Sequence, residues 1–180
     1  MKLGGVGGAN TRTGLLFEGK TDLSTFLSSQ PGYTVEGGQV FYKGALVARV
    51  FKKHDLYKYL REQGIKWEDV ISKKLLPDNG ILVIANKTFF IIECKFQQIA
   101  GSVDEKLQTC DFKKKQYEKL FNGTDIKVEY VYLLNEWFTN PSYGDSLDYI
   151  KSVGCHYFFD AIPLAMFGLP IPETEETTAL

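Results

Sequence analysis

The 180-residue chain has no apolar run of the roughly 18 residues that a membrane-spanning helix requires, so no membrane partner is expected. Its opening stretch, MKLGGVGGANTRTG, has no continuous apolar segment, and a secretory leader is therefore not expected. Cysteine is sparse: Cys94, Cys110 and Cys155 are far apart, odd in number and form no C-x-x-C pair. That excludes a zinc ribbon or a disulfide scaffold and points to reduced thiols in a cytoplasmic protein. The two histidines, His54 and His156, are isolated and read as structural or surface residues. A strong net charge is also missing, at −1, so nothing in the overall balance marks a nucleic-acid binder. Charge is nevertheless uneven. Lys113, Lys114 and Lys115 are consecutive, Lys52-Lys53 and Lys73-Lys74 are pairs, and acid crowds the final IPETEETTAL. A compact basic face on a near-neutral protein still binds phosphate, although solvated surface is the simpler reading of any one pair.

With 44% apolar and 24% charged residues, the composition is that of a globular protein. The length suits one domain, expected over 1–170, with 171–180 as a disordered acidic tail. Asn10 or Thr11 is placed to cap a helix to about Ser28, with Leu15, Leu16, Leu23, Phe26 and Leu27 as its apolar stripe. Glu18 and Asp22, spaced i and i+4, would share one face of it. Gly-Gly and Lys-Gly pairs punctuate a strand meander over 33–51. HDLYKYLREQG and KWEDVISKK read as short helices. Strands over 80–85 and 88–97 make a hairpin with its turn at Asn86-Lys87. SVDEKLQTCDFKKKQYEKLF is the strongest helix, with Ser102 and Glu105 forming a capping box. A strand over 126–135, the loop EWFTNPSYGDS, the helix LDYIKSVG and a last strand CHYFFDAI follow. The order predicts an α/β (α+β) fold: a mixed central β-sheet flanked by helices.

The stretch PDNGILVIANKTFFIIECKFQ, residues 77–97, carries the chemistry. Side chains alternate along a strand, so Glu93, Lys95 and Gln97 face one way and Cys94 and Phe96 the other. A turn at 86–87 pairs 85 with 88 and 80 with about 93, which leaves Asp78 within about two residues of Glu93 and Lys95 across the ladder. Two carboxylates and a lysine at one sheet end suit a hard divalent ion such as Mg²⁺, which keeps several waters and takes one or two protein carboxylates. Such an ion acidifies water and offsets charge on a phosphoryl group, while Lys95 orients water or balances developing negative charge. A turn and a surface ion pair is the plainer alternative. Cys94, on the opposite face, is expected to be a core thiol.

Pro77-Asp78, fourteen intervening residues, then Glu93-Cys94-Lys95 resembles the PD-(D/E)XK nuclease superfamily. Gln97 extends this to E-x-K-x-Q, GANTRTGLLFE resembles the N-terminal helix of type II restriction endonucleases, and GSVDEKLQT with KKKQYEKL resembles the helix that follows E-x-K. The resemblance spans residues 8–121. It implies a restriction-endonuclease-like fold and Mg²⁺-dependent hydrolysis of double-stranded DNA, leaving 5′-phosphate and 3′-hydroxyl ends. By motif, Asp78 and Glu93 would be metal ligands, Lys95 the catalytic lysine, Glu18 a secondary acidic residue and Gln97 an auxiliary polar group. For Glu18 the alternative is an exposed helix position paired with a nearby Lys or Arg. A chain of this size fits a type II restriction enzyme acting as a homodimer on a palindromic site. A Holliday-junction resolvase, a repair nuclease, or a non-catalytic DNA-binding protein on a nuclease scaffold are the other readings.

Three adjacent lysines cannot all face one groove. Lys106 and Lys113, seven apart on one helix, form the better DNA-facing pair, with Gln116 nearby. In EWFTNPSYGDS, Trp137, Phe138, Asn140 and Tyr143 could read or stack on bases, and an aromatic-anchored loop or a dimer contact is an equal reading.

Overall fold

The computed structural model describes residues 16–98 and 103–172. In chain order the elements are β1 (Leu16–Phe17), α1 (Leu23–Ser28), β2 (Tyr33–Glu36), β3 (Gln39–Tyr42), β4 (Ala45–Phe51), α2 (Asp55–Glu62), β5 (Asn79–Val83), β6 (Thr88–Lys95), α3 (Val103–Lys106), α4 (Cys110–Leu120), β7 (Lys127–Leu134), α5 (Gly144–Ser152), β8 (His156–Phe159), β9 (Ile162–Pro163) and α6 (Leu164–Phe167). Strands β2 to β8 form one sheet in sequence order. It is antiparallel from β2 to β6 and parallel from β6 to β8. The expected mixed sheet flanked by helices is therefore the fold. The parallel half needs crossovers, and α3–α4 and α5 supply them.

Strand β6 is the hinge between the two halves and is buried on both faces, as its near-continuous apolar run demands. Phe89 and Ile91 join the core made with α2, α4 and α5. Phe90 and Ile92 join the opposite core, made with α1, α6 and the β1–β9 pair. Each such side chain, fully buried, contributes on the order of 1.5–3 kcal/mol.

Several sequence expectations are corrected. The helix expected from residue 10 or 11 to 28 is only α1; residues 10–15 lie outside the described residues, and β1 precedes α1. Gly19 breaks it, with φ +69° and a Cβ position 2.6 Å from Leu133 Cδ2, so only glycine passes there unstrained. Asp22 starts α1 instead, accepting from the Thr25 N–H at 3.0 Å. KWEDVISKK makes a single 3₁₀ turn, Trp67–Asp69. The hairpin pairs Val83 with Thr88, not 85 with 88. Asn86 sets this longer turn: its Oδ1 accepts from Thr88 N at 3.1 Å, and Lys87 takes φ +51°.

The long helix is interrupted by a 3₁₀ turn, Leu107–Thr109, between α3 and α4; Ser102 and its capping box lie outside the described residues. The last strand is split at Asp160, φ +62°, so that β8 ends and β9 crosses to pair with β1. Of the expected tail, residues 173–180 lie outside the described residues. Among the described residues no helix is long and apolar enough to cross a membrane.

Candidate active site

The site lies where β6 and β7 end and β5 begins. In open sheets, ligands bind at the carboxyl ends of parallel strands, because the backbone there opens into a crevice. Asn79 pairs with Ile92, which brings Asp78 level with Glu93. The register differs by two residues from the expected one. A shift of two keeps every side chain on its face, so the convergence survives.

The approach to Asp78 is pinned on both sides. The Tyr57 hydroxyl donates to the Leu75 carbonyl at 2.8 Å and accepts from the Leu75 N–H at 2.7 Å. Just beyond, Asn79 Oδ1 accepts from Leu23 N at 3.0 Å, tying the start of α1 to the start of β5. Asp78 itself accepts, through Oδ2, from the Cys94 N–H at 3.0 Å. These bonds fix the carboxylate before any ligand arrives.

Lys95 Nζ lies 2.8 Å from Glu93 Oε2 and 3.7 Å from Asp78 Oδ2, and donates to the Cys94 carbonyl at 3.3 Å. Sequence expectation and structure thus agree on the convergence of Asp78, Glu93 and Lys95. Their environments differ: the side chain of Glu93 is 8% exposed, that of Lys95 17% and that of Asp78 48%. Burial works to lower the Lys95 pKa, but the charge and hydrogen bond of Glu93, with the charge of Asp78, outweigh it and raise it above 10.5. Lys95 is held as an ammonium, a group that donates hydrogen bonds and balances charge.

Lys113 adds a fourth member. From α4 its Nζ comes to 3.6 Å of the same Glu93 Oε2. Lys106, at the end of α3, is exposed and is separated from Lys113 by the 3₁₀ turn Leu107–Thr109. The other lysines of the run go elsewhere. Lys114 donates to the Gly154 carbonyl at 2.7 Å, and Lys115 pairs with Asp111 at 2.8 Å. Gln116 is half-buried on α4.

Gln97 is buried two residues beyond Lys95, and its backbone is held by the Asn135 side chain. Residues 97, 98, 135–137, 139 and 140 line an adjoining cleft of about 570 Å³. Asn140 is exposed on this cleft, and its Oδ1 caps Ser142 N at 3.0 Å. The aromatic loop is anchored inward: Phe138 and Tyr143 are core residues, and Trp137 Nε1 donates to the Tyr143 hydroxyl at 2.7 Å.

Glu18 is exposed, just before Gly19. It follows β1 on the sheet face where Gly19 packs over Cys94 and Leu133, and its carboxylate pairs with Lys20 at 2.7 Å. It is thus exposed and paired with a nearby cation, outside any helix. Cys94 packs against the core on that same face, and burial, aided by the Asp78 charge, pushes its thiol up to about 12.

Among the described residues no three His, Cys, Asp or Glu side chains gather as a metal cluster. The donor set at the site is two carboxylates and the Cys94 carbonyl, all oxygen. That set fits a small hard cation that retains water, such as Mg²⁺, rather than a thiophilic one. Sequence reasoning missed the Cys94 carbonyl, the Lys113 contact and the Asn135 clamp. Only the position of Lys113 on the helix after β6 hinted at its role.

Asp78, Glu93 and Lys95 thus meet at one end of the central β5–β6 hairpin of a seven-stranded mixed sheet. Residues 38–121 match the family described as PD-(D/E)XK nuclease superfamily domain. The match runs from β3 to the end of α4 and so contains Asp78, Glu93, Lys95 and Lys113. No curated protein and no solved structure matches the chain.

Proposed function

We propose that this protein is a Mg²⁺-dependent deoxyribonuclease, and specifically a type II restriction endonuclease that cuts a short palindromic sequence as a homodimer. The convergence of Asp78, Glu93 and Lys95 on one point at the sheet end carries the reading. Asp78, Glu93 and the Cys94 carbonyl would hold the ion, which when bound supplies Lewis acidity toward water and the phosphoryl oxygens. Asp78 is pre-set for this by the Cys94 N–H. Lys95, held as an ammonium, orients the attacking water and offsets charge that builds on the phosphate in the transition state. Gln97 and Asn140 line the flank along which a strand would leave, Lys106 and Gln116 would offer the α3–α4 side to DNA, and Lys113, beside Glu93, would meet the phosphate.

The test is a plasmid digest with Mg²⁺ followed by sequencing of the fragment ends. Discrete fragments with 5′-phosphates, abolished by Asp78→Ala, Glu93→Ala or Lys95→Ala, support the proposal. Cutting confined to branched DNA would make the protein a junction resolvase instead. Full cleavage by Lys95→Ala refutes the catalytic assignment. DNA binding without any metal-dependent cutting would make it a non-catalytic binder.

A further inference from the structure

Two ammonium groups share one oxygen of a buried carboxylate: Lys95 Nζ at 2.8 Å and Lys113 Nζ at 3.6 Å from Glu93 Oε2. Lys95 also lies within 3.7 Å of Asp78 Oδ2 and bonds the Cys94 carbonyl. Its nitrogen is thus in reach of Glu93, Asp78 and the Cys94 carbonyl together. Two carboxylates and two ammoniums make the cluster neutral. A carboxylate as buried as Glu93 needs such neutralisation, because an unpaired charge out of water is costly by several kcal/mol. Adding a divalent ion with both lysines in place would leave the pocket at about +2, which is equally unfavourable.

We infer that Lys113 is a resident counter-cation of Glu93 that a divalent metal displaces, and that the displaced ammonium then takes a substrate phosphate. The inference rests on the nuclease reading and adds a coupling between metal and substrate. Lys95 is tied by three contacts, whereas Lys113 meets Glu93 at the longer distance and has a flexible four-carbon stem. Lys114 and Lys115 are committed to Gly154 and Asp111, so Lys113 is the member of the run that answers to the site. The arrangement makes the metal-free protein self-neutralised. It also puts a positive charge at the phosphate only once the ion is in place.

The experiment is calorimetric titration of the full chain with Mg²⁺, without DNA, for wild type, Lys113→Gln and Lys113→Arg, each checked for folding by circular dichroism. Removal of a competing cation should tighten Mg²⁺ binding in Lys113→Gln by at least about fivefold, the scale of an ordinary coupling between sites. Lys113→Arg, which keeps the charge, should bind Mg²⁺ as wild type does. In plasmid cleavage, Lys113→Gln should reach half-maximal rate at lower Mg²⁺ concentration and have a lower maximal rate. Unchanged or weaker Mg²⁺ binding in Lys113→Gln overturns the inference, as does equal tightening in Lys113→Arg. If wild type binds no Mg²⁺ and cuts no DNA, the nuclease reading itself has failed; if wild type does both, only the role of Lys113 is at stake.

Discussion

The side-chain amide of Asn135 grips both backbone groups of Gln97: its Oδ1 accepts from the N–H at 3.1 Å and its Nδ2 donates to the carbonyl at 2.7 Å. This continues the β6–β7 ladder past its last backbone pair, Lys95 with Leu134. Asn135→Ala should cost about 1–3 kcal/mol, because two buried peptide groups lose their partner. Cleavage should fall as well, since the chain after Lys95 is no longer held. Urea denaturation and a plasmid assay measure the two effects; a fully stable, fully active variant would show the clamp to be idle.

Asp22 offers a pH test at the start of α1. The Thr25 N–H, with help from Lys52, holds its carboxyl below the ordinary 3.8. The folded pKa is depressed, so its contribution to stability is complete above that value and is lost as pH falls through the folded pKa. Asp22→Ala should destabilise the protein by about 0.5–2 kcal/mol near neutrality through loss of the helix cap. The gap between variant and wild type should close below pH 3.8, as measured by thermal melts across a pH series. A gap that widens on acidification contradicts the assignment.

Cys94 sits inside the motif, yet its thiol is pushed up to about 12 by burial and faces away from Glu93. Cys94→Ser should therefore leave cleavage intact, because the site uses only the backbone of this residue. Alkylation by iodoacetamide near neutral pH should be slow and should not follow loss of activity. Inactivation by the Ser variant would assign the thiol a chemical role.

Gly19→Ala should destabilise the fold by about 1–3 kcal/mol, a value typical of overpacking and of strain at positive φ. The added methyl would lie 2.6 Å from Leu133 Cδ2 and 3.0 Å from Cys94 Sγ. A melting temperature equal to that of wild type would show that the β1–α1 turn relaxes freely.

The convergence of Asp78, Glu93 and Lys95 was legible in the sequence because its carriers are local. The apolar run Phe89–Ile92 followed by alternating Glu93, Lys95 and Gln97 identifies a buried strand that ends in chemistry, and Asp78 lies one hairpin away. The register was two residues out because Asn86 side-chain bonds, not a two-residue turn, set the loop. Glu18 was expected on a helix because apolar spacing around it is helical; the pairing of β1 with β9, some 145 residues on, overrides that local pattern. Periodicity along the helix after β6 gives no sign of the 3₁₀ turn that interrupts it between Lys106 and Lys113. The Asn135 clamp has no local signal at all, being created by the parallel pairing of β6 with β7.

Strand β6 is a wall common to both cores, with Phe89 and Ile91 in one and Phe90 and Ile92 in the other. Its amide protons are hydrogen-bonded to an antiparallel neighbour on one side and a parallel neighbour on the other. Neither layer can open without stripping this strand, so its amides should be among the slowest to exchange with deuterium. The cluster of Glu93 and Lys95 at its end would then persist until the last cooperative unit of the molecule melts.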